Sequence, residues 1–141
     1  MPGNSSRGGR PGAPLEKTAT ILLIEDEPEM RRVLARALAR KYKVVEAENG
    51  RRGLEAFLRH GPDLVITDMV MPDKGGIETI REIHEMAPGT KVIAISGGDF
   101  DGSRTLRDFA RAVGIDAVLA KPFPLEHLMS EVEKLLRPTL H

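Results

Sequence analysis

The chain has 141 residues, of which 21 are basic and 21 acidic, and 40% of it is apolar. That length suits one domain with a single sizeable core, and the balanced charge argues against general attraction to nucleic acid. The chain has no cysteine, which excludes a disulfide framework and a thiolate metal site.

Residues 1–19 differ from the rest. They are rich in Gly, Pro, Ser and Arg and offer almost nothing to bury, so a flexible tail is expected there. Three basic residues (Arg7, Arg10, Lys17) against one acid (Glu16) make a weak electrostatic footprint. The tail therefore reads as a passive extension, and residues 20–138 read as the folded domain. No apolar run approaches the ~20 residues of a membrane helix. The N-terminus also lacks the apolar stretch of a secretory signal, so a cytoplasmic location is expected.

From Thr20 the sequence alternates strand and helix signals. Thr20–Ile24 is the first strand. Pro28 suits a first helical turn, and Met30, Val33, Leu34, Ala37 and Leu38 recur at helical spacing. Tyr42–Ala47 is β-prone and is broken by Asn49-Gly50. A second helix presents Leu54, Phe57 and Leu58 on one face and ends near Gly61-Pro62. Asp63–Thr67 is the third strand. Ile77, Ile80, Ile83 and His84 mark a third helix, stopped by Pro88-Gly89. Lys91–Ile95 is the fourth strand. Leu106, Phe109, Ala110 and Val113 mark a fourth helix before Gly114. Asp116–Ala120 is the fifth strand. Leu125, Leu128, Met129, Val132, Leu135 and Leu136 form a final helix, stopped by Pro138.

This alternation predicts an α/β fold with a parallel sheet covered on both faces. The doubly wound, flavodoxin-like order 2-1-3-4-5 places strands one, three and four side by side. Their C-terminal ends then bring together Glu25, Asp26, Asp68 and Ser96, with Lys121 reaching in from the fifth strand. Three acids and a lysine at one sheet edge suggest a metal-assisted phosphoryl site.

Four pieces in order, each at a strand end, carry a resemblance: Ile21–Glu27, Asp68-Met69-Val70-Met71-Pro72, Ser96, and Lys121-Pro122-Phe123. Together they resemble the receiver domain of two-component response regulators, over about residues 20–136. The resemblance implies that Asp68 is the phosphoacceptor, supplied by a sensor histidine kinase or a histidine phosphotransfer protein. It implies Mg²⁺ held by Glu25, Asp26, Asp68 and the backbone carbonyl of Val70, all hard oxygen donors. Many members have Asp first in the acidic pair, whereas this chain has the longer Glu25. Ser96 and Lys121 would bind phosphoryl oxygens, and the Lys121-Pro122 bond is expected to be cis.

Two departures bear on mechanism. Receivers often carry an aromatic three residues before the lysine, which swings inward on activation; Val118, rigid and β-branched, stands there. The resemblance also implies that the positions that influence water attack on the acyl phosphate are Val70 and Gly98, neither with a polar side chain, so a long-lived phosphoryl group is expected. No output domain fits after Leu136, so a stand-alone signalling role is expected rather than ordinary enzyme turnover or direct DNA binding. Output would pass through a downstream protein on the face around residues 103–137, or by relay of phosphate.

Two alternatives stand beside this reading. One is a scaffold of the same fold that works without phosphate, which Val118 leaves open. The other is an aspartyl-phosphate phosphohydrolase of the haloacid-dehalogenase type. That chemistry calls for a second Asp where Val70 stands, and for a substrate cap. His60, His84, His127 and His141 lack ligand spacing, and Met69 and Met71 read as packing residues.

Overall fold

The computed structural model describes residues 18–69, 75–97 and 104–137, with backbone alone at 104–107 and 109. The elements run β1 (Thr20–Ile24), α1 (Pro28–Leu38), β2 (Lys43–Ala47), α2 (Gly50–His60) and β3 (Leu64–Asp68). They continue with α3 (Gly76–Met86), β4 (Lys91–Ser96), α4 (Arg104–Val113), β5 (Ala117–Ala120) and α5 (Leu125–Leu136). The five strands form one sheet in the order β2-β1-β3-β4-β5, and every pairing is parallel. The expected doubly wound order is the one observed.

Alternation along the strands sorts the core into two layers. Leu22, Ile24, Val65, Val92 and Ala94 pack with Phe57 of α2, Ile80 and Ile83 of α3, and Ala110 of α4. Ile21, Leu23, Leu64, Ile66, Ile93, Ile95 and Leu119 pack with Leu34, Ala35 and Leu38 of α1 and Leu128 and Val132 of α5. Both faces of the central strands are therefore dry, which is why they read as continuous apolar runs. Burying side chains of this size contributes roughly 1.5–3 kcal/mol each.

Two strands begin one residue later than the apolar runs suggest, and for one reason. Asp63 and Asp116 each turn a carboxylate onto a neighbouring strand. Asp63 Oδ2 accepts from Thr20 N at 2.9 Å, and Asp116 Oδ2 accepts from Val92 N at 2.8 Å. Short aspartates that bond to backbone favour such entry positions over strand interiors. β2 likewise starts at Lys43, because Tyr42 N still bonds Leu38 O at the end of α1 (3.0 Å).

Helix ends follow local chemistry. Asn49 Oδ1 accepts from Arg52 N at 2.8 Å to open α2, and Gly61 closes it at φ 56°, a left-handed conformation that glycine adopts without strain. Two residues assigned to apolar faces are in fact exposed: Val33 at 58% and Leu58 at 69%. Each lies one position from a buried neighbour (Leu34, Phe57), at the edge of the apolar arc. Pro138, expected to stop α5, lies outside the described residues.

Candidate functional site

The sheet register assembles the site. Ile24 pairs with Thr67, so Glu25 follows beside Asp68. Asp68 pairs with Ile95, which puts Ser96 next along the edge. Ser96 pairs with Ala120, so Lys121 follows on the far side. Four residues spread over most of the chain thus meet at one sheet edge, at the crevice where open α/β sheets bind ligands.

Lys121 Nζ donates to Asp68 Oδ2 at 2.9 Å and lies 3.9 Å from Glu25 Oε1. Oxygens of Glu25, Asp26 and Asp68 lie within 4.8 Å of one another; Asp26 is exposed, and the other two are buried. Among the described residues no other group of three or more His, Asp or Glu converges in this way. Ser96 is fully buried, and its hydroxyl oxygen has no hydrogen-bond partner among the described residues. The expected residues Glu25, Asp26, Asp68, Ser96 and Lys121 therefore lie together. Val70 and Gly98 lie outside the described residues.

The electrostatics follow from burial and crowding. Burial pushes the Glu25 carboxyl up from its ordinary 4.5 to about 7. The Glu27 N–H and Lys121 pull it down, while Asp68 and Asp26 push it further up. Burial alone would lower Lys121, but its hydrogen bond to Asp68 and the charges of Glu25, Asp68 and Glu27 outweigh that. The ammonium is held above its ordinary range.

The donor set fits a hard divalent cation. It consists of carboxylate oxygens only, with no nitrogen or sulfur ligand. Glu25 Oε1 is buried and has no hydrogen-bond partner among the described residues, an arrangement that is costly unless something charged completes it.

Backbone contacts fix Asp68 and Met69. Met69 N bonds Ile95 O at 2.9 Å, and Thr67 Oγ1 donates to the Asp68 carbonyl at 3.0 Å. Gly76, the first residue of α3, lies so close that a Cβ there would run into the Asp68 carbonyl oxygen. The Lys121-Pro122 peptide is cis, as the resemblance implied. Val118, at the position often aromatic, is partly buried against the cluster that includes Met69, Ile80 and Ala110.

Sequence reasoning missed Arg31. Its guanidinium donates to the Glu25 carbonyl at 2.8 Å and pairs with Glu46 Oε1 at 3.4 Å. A signal was present: a basic residue in the opening turns of a helix faces the positive end of the helix dipole and needs a reason to be there.

Among the described residues the histidines stay outside the site. His84 Nε2 lies 3.1 Å from Thr90 O, and His127 lies 3.9 Å from Glu131 one helical turn on. Among the described residues no helix is long and apolar enough to cross a membrane.

Known proteins align with this chain over the same span. The family model of the response regulator receiver domain matches residues 21–133. The response regulator receiver protein CpdR of Brucella abortus is 38% identical over 117 residues, covering 82% of this chain and 95% of that protein. The chemotaxis protein CheY of Halobacterium salinarum is 32% identical over 117 residues, with the same coverage of 82% and 95%. A receiver domain structure from Clostridium thermocellum superposes with a TM-score of 0.75 at 29% identity, covering 84% of this chain and 94% of that one. A match running from the first strand into the last helix leaves one assignment: the chain belongs to the response regulator receiver domain family of two-component signalling.

Proposed function

We propose that this chain accepts a phosphoryl group on Asp68 from a phosphohistidine donor, and signals through a partner protein or a relay. Phosphoryl acceptance is the general property of receiver domains, and such domains generally bind Mg²⁺ at an acidic pocket. The observation that carries the reading for this chain is the shared environment of Asp68. Lys121 Nζ holds one of its oxygens at 2.9 Å, and carboxylates of Glu25 and Asp26 lie within 4.8 Å.

In this reading Glu25, Asp26 and Asp68 hold Mg²⁺, together with the Val70 carbonyl that the resemblance implies. When bound, the ion supplies positive charge that offsets the carboxylates' repulsion of an incoming phosphoryl group. An Asp68 oxygen uses a lone pair to form the new O–P bond while the donor's N–P bond breaks. The N–P electron pair stays on the imidazole nitrogen, so no proton need move at Asp68. Lys121, already paired with Asp68, follows the negative charge onto the phosphoryl oxygens. The Ser96 hydroxyl, without a partner among the described residues, donates to one of them.

The donor is a sensor histidine kinase or a histidine phosphotransfer protein, and the downstream protein docks on the face around residues 103–137. Residues 20–138 form the receiver unit, residues 1–19 lie outside it, and the protein works in the cytoplasm without binding DNA directly. The phosphoryl group is the signal, so self-phosphorylation and slow self-dephosphorylation are the chemistry and not ordinary turnover. Val118, with no ring to swing, leaves open a second reading in which the fold binds partners without phosphate.

Incubation with acetyl phosphate, and then with a phosphohistidine donor, with and without Mg²⁺, separates the readings. Mass spectrometry is expected to find one phosphoryl group, dependent on Mg²⁺ and lost in Asp68→Asn. No modification from either donor, together with no Mg²⁺ binding, would leave the phosphate-independent scaffold.

A further inference from the structure

Glu25 is held from three sides. Its N–H donates to Ala47 O at 3.0 Å, on the neighbouring strand β2. Its carbonyl accepts from Arg31 at 2.8 Å. Its Oε2 accepts from Glu27 N at 3.1 Å, inside its own loop. The fourth polar atom, Oε1, has no hydrogen bond among the described residues; it points toward Lys121, within the carboxylate group shared with Asp26 and Asp68. Two of the three restraints are backbone to backbone or lie within the loop. Of these three hydrogen bonds, the one from Arg31 ties Glu25 to a side chain of a different element, while Lys121 approaches Oε1 only as an ion pair at 3.9 Å.

Arg31 is itself held. It is mostly buried, its side chain 22% exposed, and Glu46 at the end of β2 pairs with it at 3.4 Å. One guanidinium therefore joins α1, the β1–α1 loop and β2 around the residue that offers Oε1 to the site. A planar guanidinium can serve two partners in fixed directions, which an ammonium cannot reproduce.

We propose that Arg31 is a positioning residue for the cation site, fixing the Glu25 carbonyl so that Oε1 faces Asp26 and Asp68, with Glu46 as its anchor. This rests on the reading of Glu25 as a Mg²⁺ ligand. Groups behind the ligands of a metal commonly set its affinity by 10–100-fold, by orienting those ligands.

The sign of the effect separates positioning from charge. If Arg31 acted only as a nearby positive charge, removing it would tighten binding of a divalent cation. If it acts by holding Glu25, removing it weakens binding even though a repulsive charge has gone. The test is calorimetric titration with MgCl₂ alone on the full chain, its Arg31→Ala, Arg31→Gln and Arg31→Lys variants, and Glu46→Gln. Each is first checked by thermal unfolding without metal.

Arg31→Ala and Arg31→Gln are expected to weaken Mg²⁺ binding by roughly tenfold. Arg31→Lys, which keeps the charge but not the fork, should fall between them and the parent. Glu46→Gln, still an acceptor, should lose only a few-fold. At saturating Mg²⁺ the acetyl phosphate reaction of Arg31→Gln should return to near the parent rate, because only the ion's affinity has changed.

Unchanged or tighter binding in folded Arg31→Gln overturns the proposal. Failure of the parent chain to bind Mg²⁺ overturns it together with the cation reading of Glu25. Mg²⁺ binding by the parent without phosphorylation overturns the phosphoacceptor reading alone and leaves Arg31 to be judged by its affinities.

Discussion

Lys121 donates its backbone N–H to the carbonyl of Ser96 at 2.8 Å, so the two side chains proposed to meet the phosphoryl group sit on adjoining strand ends tied by a backbone hydrogen bond. Their resting states differ. Lys121 is already engaged with Asp68, while the Ser96 hydroxyl is buried without a partner among the described residues.

That difference gives Ser96→Ala an unusual signature. Removing a buried, unpartnered hydroxyl should leave the unphosphorylated protein as stable, or more stable by about 1 kcal/mol. The phosphorylated form loses a hydrogen bond to a charged group, about 1.5–3 kcal/mol, or roughly 10–100-fold in transfer rate or lifetime. Chemical denaturation paired with acetyl phosphate kinetics reads both. A variant markedly less stable in the resting state would mean that Ser96 is structural.

Glu25 makes the metal-free protein sensitive to pH. Its carboxyl is raised by burial to about 7, against an ordinary 4.5. Between those values the folded protein binds more protons than the unfolded chain, so this contribution to stability is largest below about 4.5 and is lost as pH rises through about 7. Mg²⁺ competes with that proton, so its affinity should be higher at pH 8 than at pH 6. Unfolding curves across this window, with and without Mg²⁺, should show both trends. Glu25→Gln should flatten the metal-free one.

Gly76 should tolerate no side chain. A Cβ would meet the Asp68 carbonyl oxygen and lie 3.1 Å from Met69 Cα, both backbone atoms. Gly76→Ala is expected to destabilise by about 1–3 kcal/mol and, on the proposed function, to slow phosphorylation by displacing Asp68. Gly89→Ala, where a Cβ meets nothing within 4 Å, is the control and should unfold within about 0.5 kcal/mol of the parent.

Val70 and Gly98 offer no polar side chain to attacking water. The acyl phosphate should therefore outlast that of Val70→Asn, by roughly tenfold, an effect smaller than full general-base assistance. Loss of label after removal of excess acetyl phosphate measures it, and equal half-lives would sink the idea.

Much of this was legible in the chain. Apolar runs flanked by Gly and Pro gave the ten elements of the described residues, because central strands buried on both faces leave few polar positions to confuse the pattern. Strand-end chemistry gave Glu25, Asp26, Asp68, Ser96 and Lys121. The register between Ile24 and Thr67, and between Ser96 and Ala120, turned that list into a site.

What the pattern could not give was contact across elements. Asp63 and Asp116 read as strand residues because their backbone bonds to Thr20 and Val92 are long-range. Leu58 read as core because periodicity locates an apolar arc but not its edge. Arg31 read as one helix residue among many, since its partners Glu25 and Glu46 lie on other elements.

The lysine follows directly on β5, which has four residues and, among the described residues, pairs with β4 alone. An edge strand that short is among the first parts of a sheet to open. Each opening would carry Lys121 away from Asp68 and leave two acids facing each other without their counter-charge. A cation bound by those carboxylates would supply the counter-charge itself and repel the ammonium, so it would make each opening less costly. Faster amide exchange at Val118–Ala120 on adding Mg²⁺ would be the trace of that coupling, a metal ion registering in a strand that supplies none of the residues proposed to hold it.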